Sequence, residues 1–403
     1  MTKAGKTTTE AAPGGEIMVE KARPGAPTKI RIPRLDTGEA APPFTVRALS
    51  GNPAYIFDSA AGRPILMLFL GSGAWGPGGR ALALLAHHAH LFDDKRAGFF
   101  GVTVDPDDAA QGRIAQRLPG IRWFLDYDLS VSRLYGAAHD ADGGTAYGPY
   151  WLLLDPTMRV VTQAPIDQAD RVFTALETMI AAGPEQSHAP ILMVPRVLEP
   201  ELCRELIRLY EAHGGKDSGF MRTQDGKTVG IIDPSIKRRS DYHVTDEALR
   251  ETLRDRFRRR LIPQMMRAFH YQATRIERWM VGCYDAEHGG FFRAHRDNTT
   301  AGTAHRVFAC TINLNAEEYE GGDLRFPEYG PRTYRAPTGG AVIFSCSLLH
   351  EAMPVTRGKR YAFLPFFYDD EKARLREANQ MHLAHGDGTY RAVPRDVSSE
   401  SAS

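Results

Sequence analysis

The residues that could do metal chemistry lie in one short segment and one later histidine. Gly289-Gly-Phe-Phe-Arg-Ala-His-Arg-Asp-Asn298 carries His295 and Asp297 at i and i+2. In an extended chain that spacing sends both side chains to one face. His350, in Leu348-Leu-His-Glu-Ala-Met-Pro-Val355, follows 55 residues after His295. Two imidazoles and one carboxylate on a single face of a metal leave the opposite face open, the donor set of non-haem iron(II) sites that take a cosubstrate and dioxygen. Ten residues further on stands Arg360. A guanidinium on a neighbouring strand can grip a dicarboxylate by its far end, with a fork that lysine lacks. An isolated H-x-D pair is common, and His295 alone reads as a surface or capping histidine. The ordered set of four carries the metal reading.

Such a set needs strands to hold it, and the second half supplies them. From Ile276 onward, short apolar runs over Ile276–Tyr284, Arg306–Asn315, Asp323–Pro327, Ala341–Ser345 and Tyr361–Phe367 are separated by Gly, Asn and Pro turns. That pattern predicts an antiparallel sandwich or barrel. Helices expected over Glu199–His213 and Asp246–Phe269 precede it as a support layer. The first half alternates instead. Pro64–Leu70 is an apolar run of strand length, as in a buried central strand. Further strands are expected over Ala97–Val104, Pro149–Asp155 and Arg159–Thr162, with helices over Arg80–Phe92, Pro106–Arg117 and Ala169–Ala181. The order predicts a three-layer α/β unit. A Pro/Gly/polar stretch, Ala182–Pro190, divides the halves.

The second half, about residues 189–375, resembles the prolyl 4-hydroxylase group of 2-oxoglutarate- and iron(II)-dependent dioxygenases. Besides the triad, the likeness rests on Met280-Val-Gly-Cys-Tyr284, Thr311-Ile-Asn-Leu-Asn315, Tyr319-Glu-Gly-Gly-Asp-Leu-Arg-Phe-Pro327, Gly339-Gly-Ala-Val-Ile-Phe344 and Pro354-Val-Thr-Arg-Gly-Lys-Arg-Tyr361. The resemblance implies a double-stranded β-helix, a jelly roll with supporting helices and the metal in its mouth. It implies Fe(II) on His295, Asp297 and His350, and Arg360 on the 5-carboxylate of 2-oxoglutarate. Tyr284 matches a tyrosine that helps hold this cosubstrate, and Asn313 a strand position that often lines its pocket. Dioxygen is the second cosubstrate, and ascorbate is a candidate accessory. The implied reaction hydroxylates an amino-acid side chain, prolyl first among candidates, in a peptide, a protein or a small molecule, releasing succinate and CO2. A hydroxylase of a small metabolite or free amino acid, or an oxygen- and 2-oxoglutarate-sensing scaffold, are the alternatives.

Residues 36–182 resemble a peroxiredoxin of thioredoxin-like fold. The matching pieces are Gly38-Glu-Ala-Ala-Pro-Pro-Phe44, Ile65–Leu70, Ser132-Arg-Leu-Tyr-Gly136 and Trp151-Leu-Leu-Leu-Asp-Pro156. Active relatives of this type place a reactive cysteine just after the central strand. Here the loop reads Gly71-Ser-Gly-Ala-Trp-Gly-Pro-Gly-Gly79, and the first cysteine of the chain is Cys203. Thiol peroxidase chemistry is therefore excluded from this half. A docking or homodimerisation module is expected instead, with the second half self-sufficient for the metal site. The division is a flexible leader (1–35), the redoxin-like domain (36–182), a linker (183–188), the dioxygenase domain (189–380) and a flexible tail (381–403).

With 403 residues, the chain exceeds what one core usually serves. Lys+Arg 50 against Asp+Glu 49 gives a net charge of +1, which gives no electrostatic case for nucleic acid or an anionic membrane. Four cysteines without a C-x-x-C pair give no disulfide framework or zinc motif, and a reduced, cytoplasmic setting is expected. The remaining features have bland readings. His87, His88 and His90 read as a solvated helix face, and Arg254–Arg260 as the exposed basic side of an amphipathic helix, with an acidic-peptide dock as alternative. Lys237-Arg-Arg239 reads as a solvated loop, with the rim of the site as alternative. Cys283, Cys310 and Trp279 read as core.

Overall fold

The computed structural model describes residues 34–141, 144–184, 186–384 and 390–392. Nearly all of the expected leader, Glu185 of the expected linker and most of the expected tail lie outside the described residues. The described chain forms two units, each around its own sheet system.

In the first unit, β1 (Ile65–Gly71), β2 (Gly98–Thr103), β3 (Ile121–Leu125), β4 (Tyr150–Leu154) and β5 (Val160–Pro165) form one sheet in the order β3-β2-β1-β4-β5. β1 runs parallel to β2 and antiparallel to β4. All seven residues of β1 are buried, as an unbroken apolar run requires when both faces are covered. Leu66, Leu68 and Leu70 face a core shared with α1 (Gly76–His87) and α2 (Asp170–Ala182). Ile65, Met67 and Phe69 face the other side, among Phe57, Phe124 and Tyr135. One member of that second cluster, Leu349, comes from the other unit. The helix expected over Pro106–Arg117 ends at Ala110, two residues before Gly112 takes a left-handed backbone. The chain then forms β3, a strand the sequence reading did not include.

The second unit places two sheets around the site. Its elements there are β6 (Met280–Asp285), β7 (Phe291–His295), β8 (Phe308–Asn313), β9 (His350–Ala352) and β10 (Lys359–Phe363). The larger sheet runs Leu192–Val194, Ala341–Ser345, β8, β10, β6, Ser240–His243, Lys216–Asp217. The smaller runs Lys237–Arg238, β7, β9, Leu324–Arg325, Thr333–Tyr334. Helix α3 (Pro200–His213) and the segment from Glu247 to Phe269 back the larger sheet through Leu206, Leu253, Phe257 and Met265. Asp246 caps that segment by accepting from Leu249 N. A π turn at Phe257–Leu261 interrupts it, just before Pro263, which lacks the N–H to continue the ladder. Its basic cluster is partly neutralised: Arg256 and Arg260 pair with Glu199 at 3.0 and 2.6 Å.

Two expected strands are broken. Ile276–Tyr284 splits at Arg278, whose backbone is left-handed (φ 68°). Tyr361–Phe367 splits at Leu364-Pro365, where proline has no N–H to donate. No helix among the described residues is long and apolar enough to cross a membrane.

Candidate metal centre and cosubstrate pocket

β7 and β9 pair antiparallel with His295 directly opposite His350. The pairing slips between Phe292 and His295, an irregularity of the kind that re-aims side chains beside sites. Asp297 follows β7 and is fixed by its amide, which donates to Cys346 O at 2.9 Å. The imidazole rings lie 4.3 Å apart between centroids. His295 Nε2 stands 3.6 Å from Asp297 Oδ1, and His350 Nε2 stands 3.3 Å from Asp297 Oδ2. One ligand atom from each residue falls within 4.8 Å of the others, the one such group of three among the described residues.

The donor chemistry says what belongs between them. His295 Nδ1 lies 2.8 Å from Arg293 O, and His350 Nδ1 lies 3.0 Å from Leu348 O. A carbonyl can only accept, so each Nδ1 carries the hydrogen and each Nε2 presents a lone pair. Both lone pairs then face carboxylate oxygens, which is repulsive unless a cation lies between. Burial lowers His350 to about 4, reinforced by His295 and opposed by Asp297. Burial would raise Asp297, but His350, His295 and Arg306 outweigh it and hold that carboxyl well below the usual range. Two imidazole lone pairs and a carboxylate that converge on one point fit a divalent metal.

Aromatic rings wall the imidazoles. Phe292 stacks on His295 at 3.5 Å, and Phe344 lies 4.5 Å from His350. All three ligands open into a cavity of about 680 Å³, within the range of small-molecule sites.

Arg360 lines the same cavity. It is 2% exposed on β10, opposite Tyr284 on β6. Its Nη2 donates to Thr311 Oγ1 at 3.1 Å, and its guanidinium sits 5.1 Å from the Tyr284 ring. Arg360 Nε is buried without a hydrogen-bond partner. Buried polar atoms are rarely left unpaired, so a guanidinium with an unused N–H at this cavity suits a carboxylate. The Tyr284 hydroxyl accepts from Arg239 Nη1 at 3.4 Å. Asn313 is buried two residues beyond Thr311, with its amide donating to Ala336 O, and it is absent from the cavity lining.

The solvated-loop reading of Lys237-Arg-Arg239 is overturned at two of its residues. Lys237 is buried, donating to Ser218 Oγ and Gly219 O at 2.7 Å each, and Arg239 forks onto Asp241 at 2.6 and 2.9 Å. Both line the cavity. Burial, then Arg239, lowers the Lys237 ammonium to about 6. Thr311 opens the motif Thr311-Ile-Asn-Leu-Asn315, yet alternation along the strand does not rank it above Asn313.

Residues of the first unit form another wall: Pro53, Tyr55, Ile56 and Asp58 line the cavity. Arg296, between two triad members, has Nε 3.0 Å from Asp58 Oδ2 and Nη2 2.9 Å from Glu328 Oε1. Glu328 Oε2 also accepts from the Leu349 amide at 2.8 Å. Leu349, beside His350, is 1% exposed in the first unit's core. Both ligand-bearing strands are thus pinned to the first unit by a residue adjacent to a ligand.

This arrangement defines a site of two imidazoles and one carboxylate beside a buried arginine pocket. Residues 279–368 match the family model described as the 2OG-Fe(II) oxygenase superfamily. The chain is 33% identical over 126 residues to a PKHD-type hydroxylase of Pseudomonas fluorescens, covering 29% of this chain and 54% of that one. It thus spans about half the length of that relative. Among solved structures, a prolyl hydroxylase of Trichoplax adhaerens in complex with a hypoxia inducible factor peptide is 16% identical, with TM-score 0.35, covering 46% of this chain and 86% of that one. A peroxidoxin of Mycobacterium tuberculosis is 18% identical, with TM-score 0.31, covering 37% of this chain and 98% of that one.

Proposed function

We propose that the protein is an Fe(II)- and 2-oxoglutarate-dependent dioxygenase that hydroxylates an amino-acid side chain, prolyl first among candidates, with residues 189–380 as the catalytic domain in a double-stranded β-helix and 36–182 as a thioredoxin-like domain. The carrying observation is that the three converging ligand atoms and the underpartnered Arg360 share one cavity. When bound, iron with 2-oxoglutarate and dioxygen supplies oxidative decarboxylation to succinate and CO2 and insertion of oxygen into a C–H bond.

The chain's own part is holding and orienting. His295, Asp297 and His350 would hold the metal, their tautomers set by the Arg293 and Leu348 carbonyls. Arg360 and Thr311 would receive the far carboxylate of the cosubstrate, with Tyr284 against the guanidinium. Phe292 and Phe344 each pack a ring against one of the imidazoles. The hydroxylase name of the relative that matches this region supports the same reaction class.

The test is succinate release from 2-oxoglutarate by the iron-loaded protein, with a +16 mass shift on a substrate found by comparing wild type with His295→Ala in cell extract. Absence of 2-oxoglutarate turnover at full iron occupancy would falsify the reading.

A further inference from the structure

Arg278 lines the cavity but belongs neither to the triad nor to the Arg360 pocket. It sits in the two-residue break between Arg275–Glu277 and β6, with φ 68°. That conformation is unfavourable for any residue with a Cβ, and glycine is the default choice. Strain of this kind persists where function needs it.

Two carboxylates act on its guanidinium, neither in an ion pair with it: Glu277, which is held by His305 and Arg306, and Asp297. Arg278 lies 4.9 Å from the Phe366 ring centroid, and Arg306 shares that ring at 4.2 Å. Arg306 is neutralised by Glu277 at 2.7 and 3.1 Å, and it also donates to Asp297 O. Arg278 has no hydrogen bond or ion pair among the described residues. Burial, then Arg306, lowers it to about 10. Across the cavity lining, eight Lys and Arg side chains face two carboxylates, Asp58 and Asp297. Asp241, Glu277 and Glu328 pair with three of those cations from outside the lining, which still leaves positive charge in excess.

The far carboxylate of the cosubstrate is badly placed to supply the missing anion. Arg360 lies opposite Tyr284 at one end of β6, whereas Arg278 precedes Met280 at the other. Six residues of extended chain separate the two backbone positions by on the order of 20 Å, so the carboxylate that Arg360 would receive lies out of reach of Arg278.

We propose that Arg278 is the anchor for the substrate itself, gripping a carboxylate or phosphate of the molecule to be hydroxylated at the end of the cavity away from Arg360. The proposal rests on the dioxygenase reading and narrows its substrate to one carrying an oxyanion. A planar fork suits that group in a way an ammonium does not.

The experiment uses the full-length protein with zinc in the metal site and saturating 2-oxoglutarate, titrated calorimetrically with inorganic phosphate and separately with acetate. At least one probe should bind the wild type, and the tighter of the two tells phosphate from carboxylate. Arg278→Gln should weaken that binding at least tenfold, and Arg278→Lys should fall between. Arg278→Gly should also lose binding while melting above the wild type, because glycine accepts the left-handed backbone. Such a gain in stability with loss of binding separates a binding role from a folding defect. Failure of both probes to bind the wild type, or equal binding to Arg278→Gln, overturns the assignment. Affinity for 2-oxoglutarate is measured in the same preparations. Its absence from the wild type would count against the dioxygenase reading, independently of the oxyanion result.

Discussion

Leu349→Ala tests whether the first unit supports the metal site. Leu349 is 1% exposed, within the cluster of Ile65, Met67, Phe69 and Phe57, and its next neighbour in the chain is His350. The substitution removes three carbons, worth about 2.4 kcal/mol at roughly 0.8 per buried methylene. An incompletely relaxed void on the order of 60 Å³ adds about 1.5 kcal/mol, so a total of roughly 3–4 kcal/mol is expected. For a unit of this size that corresponds to a fall of roughly 6–16 °C in Tm. Trp123 and Trp151 are buried in the first unit and report its unfolding by fluorescence, while metal titration of the folded protein reports on His350. Leu349→Met, which nearly conserves volume, should lose less than about 1.5 kcal/mol. A loss below about 1 kcal/mol in Leu349→Ala would refute the insertion as a source of stability. A full loss with unchanged metal affinity would refute its coupling to the ligand strand.

Three other outcomes are expected. His295→Ala and Asp297→Ala should each abolish stoichiometric iron binding and succinate formation; metal analysis beside turnover checks this, and full turnover at equal iron occupancy would show that the triad is misassigned. Arg360→Ala should raise the KM for 2-oxoglutarate by a factor corresponding to roughly 3–5 kcal/mol, since a buried carboxylate loses its charge-assisted partner. Arg360→Lys should be intermediate, and an unchanged KM in Arg360→Ala would move the role to another cation. Lys237, surrounded by Arg239, Asp241, Arg278 and Asp297, is lowered to about 6 by burial, so between pH 6 and its ordinary value of 10.5 the unfolded chain binds the extra proton. Its contribution therefore makes stability rise with pH across that window, and in Lys237→Met denaturant titrations from pH 6 to 10 should show that component of the slope removed.

The grouping of His295, Asp297 and His350 was legible because its information is local. His295 and Asp297 are two residues apart, and short strand motifs surround His350 and Arg360. β1 was legible for a related reason: a strand buried on both faces is apolar at every position, whatever packs on it. What sequence could not provide were the contacts between distant segments. Nothing around Asp58 marks it as the partner of Arg296, 238 residues away. Leu348-Leu349 reads as an ordinary apolar pair before a strand, and only docking of the two units sends Leu349 into a foreign core. Lys237 lies in a stretch of three cations that composition assigns to solvent, yet Ser218 Oγ and Gly219 O meet its ammonium inside. Arg278 sits within an apolar-to-polar run that alternation reads as one strand, because a reversal of φ at one residue leaves no trace in hydrophobic period.

Those contacts give the first unit a partner within its own chain. From its sequence, the second unit is expected to be self-sufficient for the metal site, with the first as a docking or homodimerisation module. In the structure, the first unit packs on the face of the second that carries His295 and His350, through Arg296 and Leu349. Removing residues before the linker would leave Leu349 without its socket and Arg296 without Asp58, while opening the cavity where Pro53, Tyr55 and Ile56 stand. An exposed leucine and a missing wall act beside two of the three ligands, so the effect would fall on the metal strands first. The absence of cysteine from the loop after β1 is then no defect in this unit. A sheet with one face closed by its own helices and the other completed by Leu349 needs no thiol to serve as a rigid wall.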